Sequence, residues 1–255
     1  MRRDAALTEE QSQILRKQGF VPVASFLSTK ELHAIRAIFD RLFNAKVGQD
    51  DGKQFDLAGG TGSTGLKLRQ ILEPSDYAPE LRDLDVIRRA RQITQTYFDS
   101  DATPVMGEHM IFKPAHVGNI TPWHQDQAYH DPEMDERSIN FWIALDDTDI
   151  ENGCMQYAPG SQNNDVLPHH PIGHDPSVHG LEVDNPEVFA SSSAACPLSA
   201  GGCVMHLPKT LHYAGPNRTT RQRRAYILIM QAPPVKRAIP VDNYWMRRGG
   251  QTQLA

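Results

Sequence analysis

The sequence predicts an α+β fold in which helices come first and many short strands follow. Helical periodicity dominates the first part of the chain, whereas short apolar runs bounded by turn residues dominate from Val105 onward. The chain has 255 residues, which is enough for one domain with a sizeable core. We therefore expect residues 1–255 to form a single domain, with mostly helical support in residues 1–100 and a β-rich core in residues 105–232.

Three N-terminal helices are predicted from capping signals and from the spacing of apolar residues. Two of them begin at capping boxes, at residues 8–11 (Thr-Glu-Glu-Gln) and 28–31 (Ser-Thr-Lys-Glu). The helix after the second box should bury one face, because apolar residues recur there at helical spacing: Leu32, Ile35, Ile38, Phe39, Leu42 and Phe43. Residues 19–23 predict a short strand between these two helices, and residues 86–97 predict a third helix.

The strand-rich part contains clear strands and one long interruption. Residues 107–114 and 138–147 predict strands, and the second runs into an Asp-Asp turn. Residues 163–197 form a long irregular segment rich in His, Pro, Asp and Ser, and such loops are usually functional or disordered. We expect a lid that is mobile or differently placed without substrate and ordered with it. Its histidines have neither regular spacing nor cysteine partners, so they indicate a polar lid rather than a metal cluster: His169, His170, His174 and His179.

Composition argues against several classes of protein. The net charge of −5 and the pI near 6.1, without a long basic run, give no reason to expect nucleic acid as a partner. No apolar run approaches the length of a membrane span, and the N-terminal residues do not resemble a signal peptide. The cysteines Cys154, Cys196 and Cys203 show no metal or redox spacing and fit a reduced interior, so we expect a cytoplasmic protein. Nothing in the sequence indicates the oligomeric state.

His124 and Asp126 provide the first chemical signal. If this stretch is a strand, positions i and i+2 point to the same face, so both side chains can reach one metal ion. A downstream histidine would complete two imidazoles and one carboxylate, a set that leaves one face of a non-haem Fe(II) open. His212 is the candidate, and His206 competes with it. Arg223 gives a second signal, because a guanidinium at the start of an apolar strand suits bidentate capture of a carboxylate.

Several separated pieces, in a fixed order, resemble the phytanoyl-CoA dioxygenase family of Fe(II)- and 2-oxoglutarate-dependent oxygenases. The resemblance runs from about residue 106 to residue 230, and the N-terminal helical part fits the family in position. The matching pieces are Phe112-Lys113-Pro114, Thr121-Pro122-Trp123-His124-Gln125-Asp126, Trp142 with Ala144-Leu145-Asp146-Asp147, Glu151-Asn152-Gly153-Cys154, Pro159-Gly160-Ser161, and His212 with Gly215-Pro216-Asn217 and Arg223.

The resemblance implies a double-stranded β-helix, a cupin-like jelly roll, with the N-terminal helices packed on its outer sheet. It implies that His124, Asp126 and His212 bind Fe(II), while 2-oxoglutarate and O2 take the open positions. The implied reaction oxidises a C–H bond of a small organic substrate and releases succinate and CO2. Related halogenases have a small residue in place of the carboxylate, so the presence of Asp126 favours hydroxylation or another oxidation over halogenation.

The family also holds the far carboxylate of 2-oxoglutarate with an arginine, which corresponds to Arg223. Lys113 corresponds to a family lysine that reaches this co-substrate, and Trp142 to a tryptophan beside it. A solvent-exposed lysine and simple core packing are the alternative interpretations of these two residues. Arg221 and Arg224 compete with Arg223, and the spacing from the third metal ligand favours Arg223.

Tyr129 and His109 are candidates for contact with the primary substrate. Tyr129 follows the metal pair closely, and His109 lies on the same predicted strand face as Lys113. The alternative interpretations are a turn residue for Tyr129 and a hydrogen-bonded core histidine for His109, and they fit the sequence equally well. An acidic chain without a basic patch favours a small natural product over a CoA ester.

Two other functions are possible, namely a cupin-like metal enzyme without 2-oxoglutarate, such as an isomerase or hydrolase, and a non-catalytic member of the fold.

Overall fold

The structure, a computed structural model, describes residues 7–57, 68–101, 105–116, 118–248 and 251–252. Its helices are α1 (Glu9–Gln18), α2 (Thr29–Asn44), α3 (Asp85–Phe98) and α4 (Glu187–Ala190). Its strands are β1 (Phe20–Val23), β2 (Gln54–Asp56), β3 (Arg69–Leu72), β4 (Val105–Lys113), β5 (Thr121–His124), β6 (Met134–Ala144), β7 (Met155–Tyr157), β8 (His169–Pro171), β9 (Leu181–Val183), β10 (Ala194–Cys196), β11 (Cys203–His206), β12 (His212–Ala214), β13 (Arg223–Lys236), β14 (Arg247–Arg248) and β15 (Gln251–Thr252).

Two antiparallel sheets form the centre of the molecule. The larger sheet has the order β1-β11-β6-β13-β4-β3-β2, and the smaller sheet has the order β10-β7-β12-β5. From β4 to β7 and again from β10 to β13, the chain passes back and forth between the two sheets. This alternation is the topology of a double-stranded β-helix, so the jelly roll implied by the family resemblance is confirmed.

Successive residues of β6 separate two layers of the core. Ile139, Phe141 and Ile143 are fully buried on the face that packs against the three N-terminal helices. Trp142 and Ala144 point the other way and pack between the two sheets. Side chains alternate along a strand, so one face of the larger sheet packs against the helices and the other borders the space between the two sheets. That space is where a site can form.

The three predicted N-terminal helices are confirmed. The side chains of Thr8 and Ser28 accept hydrogen bonds from the backbone N–H of Gln11 and Glu31. In return, the side chains of Gln11 and Glu31 accept the backbone N–H of Thr8 and Ser28, which completes both capping boxes. All six apolar residues predicted to form one face of α2 are buried. Gly19 ends α1 at φ 86°, and a Cβ there would lie 2.5 Å from side-chain atoms of both Gln162 and Thr210, so the position requires glycine.

Residues 163–197 are more regular than the sequence indicated. They contain the β8–β9 hairpin, the short helix α4, and β10, which joins the smaller sheet beside β7. β2 and β3 were not predicted either, and both extend the larger sheet. Strands of three or four residues carry too few side chains for their periodicity to be recognised.

Single-domain organisation stays a prediction. Among the described residues, no helix combines the length and apolar character needed to cross a membrane.

Candidate active site

β5 and β12 place two histidines side by side. His124 ends β5 and His212 begins β12, and the two are direct partners in the antiparallel pairing of these strands. Side chains of facing residues on antiparallel strands lie close together. The two imidazole centroids are 4.1 Å apart, so the register of the smaller sheet brings together residues that are distant in the sequence.

Asp126 reaches the histidines from a different local structure than the sequence predicted. β5 ends at His124, and Asp126 is the first residue of a 3-10 helix. Gln125 between them is extended (φ −117°, ψ 131°), so the two flanking side chains still point to the same side. Oδ1 of Asp126 lies 3.7 Å from Nε2 of His124 and 3.6 Å from Nε2 of His212. Within the described part of the chain, these three side chains form the one cluster that could hold a metal ion.

Backbone carbonyls fix which nitrogen of each imidazole carries the proton. Nδ1 of His124 donates to the carbonyl of Pro122 at 2.7 Å, and Nδ1 of His212 donates to the carbonyl of Thr210 at 2.9 Å. Nε2 of each ring therefore carries the lone pair and faces Asp126. Burial is the main cause that lowers the pKa of each histidine to about 4, so both are neutral at neutral pH.

The carboxyl group of Asp126 is ionised at neutral pH. Burial opposes its ionisation, but the neighbouring His212 and the hydrogen bond from His206 outweigh that effect and hold the pKa of Asp126 below its usual range. One carboxylate and two neutral imidazoles are the protonation states that a metal ion requires. His206 lies outside the three-residue cluster and instead donates from Nε2 to the other carboxylate oxygen, Oδ2, at 3.0 Å.

Arg223 and Lys113 form a second polar group in the interior. They are direct partners in the pairing of β13 with β4, and they are 1% and 0% exposed. Nη1 of Arg223 donates to the carbonyl of Gly153 at 2.9 Å, and Nζ of Lys113 donates to the carbonyl of Gly215. Nε of Arg223 has no hydrogen-bond partner, and no described carboxylate forms an ion pair with either cation. The interpretation of Lys113 as a solvent-exposed lysine is wrong.

The two cations oppose each other's charge. Burial lowers the pKa of Lys113 well below its usual value, and the charge of Arg223 lowers it further. Burial also lowers the pKa of Arg223 to about 10. Adjacent buried cations are costly unless an anion accepts their free N–H groups. A carboxylate suits this role, because it can accept two parallel bonds from a guanidinium.

Gly153 and Gly215 allow the backbone to approach closely beside these cations. Gly153 has a φ of +84°, and a Cβ at this position would lie 2.3 Å from the carbonyl oxygen of Gly215. The same two residues supply the carbonyls that accept from Arg223 and Lys113. The positions of both cations therefore depend on a contact that only glycine at position 153 permits.

The neighbouring arginines have different environments. Arg221 forms a surface ion pair with Asp149, and Arg224 forms partly buried ion pairs with Asp40 and Asp146. Of these three arginines, Arg223 alone lines the interior, and its guanidinium lies 5.3 Å from the ring centroid of Trp142. Trp142 therefore both packs the core and forms the wall beside the cation.

The candidate metal ligands and Arg223 line one cavity of about 290 Å³. His109 and Tyr129, the two candidates for contact with the primary substrate, line it as well. Nδ1 of His109 lies 2.9 Å from Nε2 of Gln70, and burial lowers the pKa of His109 to about 4. The hydroxyl of Tyr129 accepts the backbone N–H of Leu181 at 2.7 Å. Tyr129 thus connects residues 125–129, which we call the metal loop, to the segment 163–197, which covers the cavity.

The segment 163–197 contributes to the cavity in two different ways. His179 lines the mouth, where its ring lies 5.1 Å from that of Phe55. His169 is fully buried, and its Nε2 accepts the backbone N–H of Gln125 at 3.1 Å. The side chain of Gln125 also accepts the backbone N–H of Leu167 at 2.8 Å. Of the four histidines predicted to belong to a polar lid, His169 is therefore a buried residue that supports the backbone of Gln125, between the two metal-ligand candidates.

Comparison with known proteins gives the class of this chain. Residues 15–225 match the family model described as phytanoyl-CoA dioxygenase (PhyH). The chain is 25% identical to the probable alpha-ketoglutarate-dependent hypophosphite dioxygenase of Stutzerimonas stutzeri, over 92% of this chain and 82% of that protein. The crystal structure of EvdO2 from Micromonospora carbonacea var. aurantiaca superposes with a TM-score of 0.80 at 36% identity, covering 94% of this chain and 97% of EvdO2. A second EvdO2 structure, complexed with 2-oxoglutarate, gives a TM-score of 0.79.

These matches and the His-Asp-His cluster define an Fe(II)- and 2-oxoglutarate-dependent oxygenase. The chain belongs to the phytanoyl-CoA dioxygenase family, because the family model matches most of its length.

Proposed function

We propose that Nε2 of His124, Oδ1 of Asp126 and Nε2 of His212 bind Fe(II), and that Arg223 and Lys113 bind the far carboxylate of 2-oxoglutarate. The residues fit both groups. Three donor atoms in the correct protonation states face one another, and two buried cations without a counter-ion lie in the same interior. The combination of the three metal donors with the two buried cations is the observation that supports this function best. A cupin-like isomerase or hydrolase has no use for paired cations aimed at a dicarboxylate.

When bound, iron supplies the oxidation of the substrate C–H bond, coupled to conversion of 2-oxoglutarate to succinate and CO2. The protein supplies position and exclusion of water. The Nδ1–H bonds to backbone carbonyls orient both imidazoles, and Arg223 with Trp142 fixes the far end of the co-substrate. Tyr129 and, from the β8–β9 hairpin, residues 172 and 179–181 line the cavity and help to exclude water from it.

The primary substrate is proposed to be a small, uncharged natural product. Apart from histidines, Asp126 and Arg223 are the only charged side chains among the described residues that line the cavity. This proposal already assigns Asp126 to the metal and Arg223 to 2-oxoglutarate, so no charge is left for the primary substrate. A cavity of about 290 Å³ also suits a small molecule. The names of relatives include hypophosphite and phytanoyl-CoA, so family membership by itself does not identify the substrate. Tyr129 and His109 are the proposed substrate contacts. We also propose a role in secondary metabolism, and the cytoplasmic location stays a prediction.

The test is release of succinate from 2-oxoglutarate by purified protein, screened against a panel of candidate natural products. We expect turnover to require both Fe(II) and 2-oxoglutarate and to increase with a true substrate. Separate replacement of His124, Asp126 or His212 by Ala should abolish turnover and weaken Fe(II) binding. The matched control is His174→Ala, because His174 lies in the covering segment away from the cluster. Full activity of the His212→Ala protein together with loss of activity in a His206→Ala protein would contradict the proposed ligand set.

A further inference from the structure

Asp126 presents one oxygen to the imidazoles, and its other oxygen has two donors of its own. Nδ2 of Asn140 donates to Oδ2, and Nε2 of His206 donates to the same atom at 3.0 Å. Asn140 and His206 are direct partners in the pairing of β6 with β11, and they are 4% and 3% exposed. The larger sheet thus directs two buried N–H donors at a carboxylate that follows a strand of the smaller sheet.

Tyr157 determines which nitrogen of His206 donates. Its hydroxyl lies 3.2 Å from Nδ1 of His206. A phenol hydroxyl at this distance can donate to Nδ1. With Nδ1 accepting, the ring proton lies on Nε2, which is the nitrogen that faces Asp126.

The two donors have a consequence for metal binding. A free carboxylate can bind a metal through one oxygen or through both, and the second mode takes an extra coordination position. N–H donors on Oδ2 oppose that mode, because they hold this oxygen away from the metal and leave Oδ1 facing His124 and His212. A ligand set that occupies only one face of the metal leaves room for 2-oxoglutarate and oxygen.

We propose that Asn140 and His206 are positioning residues that restrict Asp126 to binding the metal through one oxygen, and that Tyr157 orients His206 for this role. The inference rests on the proposed ligand set. Hydrogen bonds to a carboxylate are roughly twice as strong as neutral ones. Loss of such partners of metal ligands typically lowers metal affinity by about 10- to 100-fold.

The experiment measures Mn(II) affinity by calorimetry, without oxygen or 2-oxoglutarate, in two amide variants of His206. The amide nitrogen in His206→Gln lies near the position of Nε2 and can still donate to Asp126, whereas the shorter side chain in His206→Asn cannot reach it. We expect His206→Asn and Asn140→Leu each to weaken Mn(II) binding by about 10- to 100-fold. His206→Gln should keep most of the affinity, and Tyr157→Phe should show a smaller loss than His206→Asn.

Ser138→Ala is the matched control. Ser138 lies two residues before Asn140 on the same face of β6, is 1% exposed, and has no hydrogen-bond partner for its hydroxyl. Its replacement should leave Mn(II) affinity unchanged. Thermal unfolding identifies any variant that does not fold, and Asn140→Leu and Tyr157→Phe test the proposal independently of position 206.

A second measurement tests the binding mode itself, namely the affinity of the Mn(II)-saturated variants for 2-oxoglutarate. A carboxylate that binds through both oxygens competes with the co-substrate, so we expect this affinity to fall in His206→Asn and Asn140→Leu. Unchanged 2-oxoglutarate affinity in these metal-saturated variants would overturn the proposed one-oxygen restriction.

The controls separate failure of this inference from failure of the proposed function. If the parent protein binds Mn(II), His124→Ala does not, and both His206→Asn and Asn140→Leu match the parent, the positioning role is rejected while the ligand set stands. If His124→Ala binds Mn(II) as tightly as the parent does, the ligand set itself is rejected, and the inference falls with it.

Discussion

The metal cluster (the metal end) and the Arg223–Lys113 pair (the cation end, of which Arg223 lines the cavity) differ in how complete they are without a ligand. At the metal end, each group already has a partner on the side away from the metal, including the carbonyls that hold His124 and His212. At the cation end, Arg223 and Lys113 lie side by side, without an ion-pair partner among the described residues and with an unpaired N–H. The metal end is therefore organised before binding, whereas the cation end, in the binding mode proposed above, receives a counter-charge only from 2-oxoglutarate.

Gly153→Ala should disturb the cation end without affecting the metal end. The new Cβ would meet the carbonyl of Gly215 at 2.3 Å, in a backbone conformation with φ +84° that Ala rarely adopts. We expect a loss of roughly 1–3 kcal/mol in stability and a marked loss of 2-oxoglutarate binding, because both carbonyls that orient the cations must move. Mn(II) affinity measured by calorimetry should stay at the parent value.

Gly215→Ala is the control for this comparison. A Cβ at position 215 would have its nearest neighbours at 3.8 Å, which is ordinary van der Waals contact. This variant should bind 2-oxoglutarate as the parent does. Equal losses in both variants would show that the tight contact at Gly153 is not what positions the cations.

Arg223→Lys tests the planar fork at the same end. The replacement keeps the charge but turns a bidentate contact with a carboxylate into a single one. We expect the apparent KM for 2-oxoglutarate to rise at least tenfold, which corresponds to about 1.4 kcal/mol of lost binding. The KM for the primary substrate should change little. An unchanged KM for 2-oxoglutarate would exclude Arg223 from the co-substrate site, and Arg221→Lys is the matched surface control.

Lys113 should make the stability of the ligand-free protein depend on pH. Its pKa in the folded state is lowered, so the unfolded state binds more protons between that value and about 10.4. Stability relative to Lys113→Met should therefore rise as pH increases through this window, by at most about 1.4 kcal/mol per pH unit. Saturating 2-oxoglutarate supplies the counter-charge and should flatten the difference. Chemical denaturation of both proteins at several pH values, with and without 2-oxoglutarate, measures it.

The segment that covers the cavity should itself contain a fixed part and a movable part. Asp165, Leu167 and His169 are hydrogen-bonded to Gln125 of the metal loop, whereas α4 is largely exposed. We expect proteases that cleave after Glu187 and Phe189 to cut rapidly with Mn(II) and 2-oxoglutarate bound, and several-fold more slowly once a substrate from the turnover screen is added. Equal cleavage in both states would mean that the whole segment is a fixed wall.

The elements that could be predicted from sequence are those with local signals. Capping boxes and the six-residue face of α2 depend on residues within a few positions of one another. The contacts that organise the site are long-range. The approach of Gly153 to Gly215 and the pairing of Asn140 with His206 follow from sheet register, which a single sequence does not display. Family resemblance supplied the residues of the candidate site, and the structure supplied the physical reason for their positions.

A crystal structure with Mn(II) and 2-oxoglutarate, grown without oxygen, tests the two-ended site most directly. We predict that the metal is bound by Nε2 of His124 and His212 and by a single oxygen of Asp126, with the far carboxylate of 2-oxoglutarate on Arg223. A metal bound by His206, or a co-substrate whose far carboxylate lies away from Arg223, would contradict it.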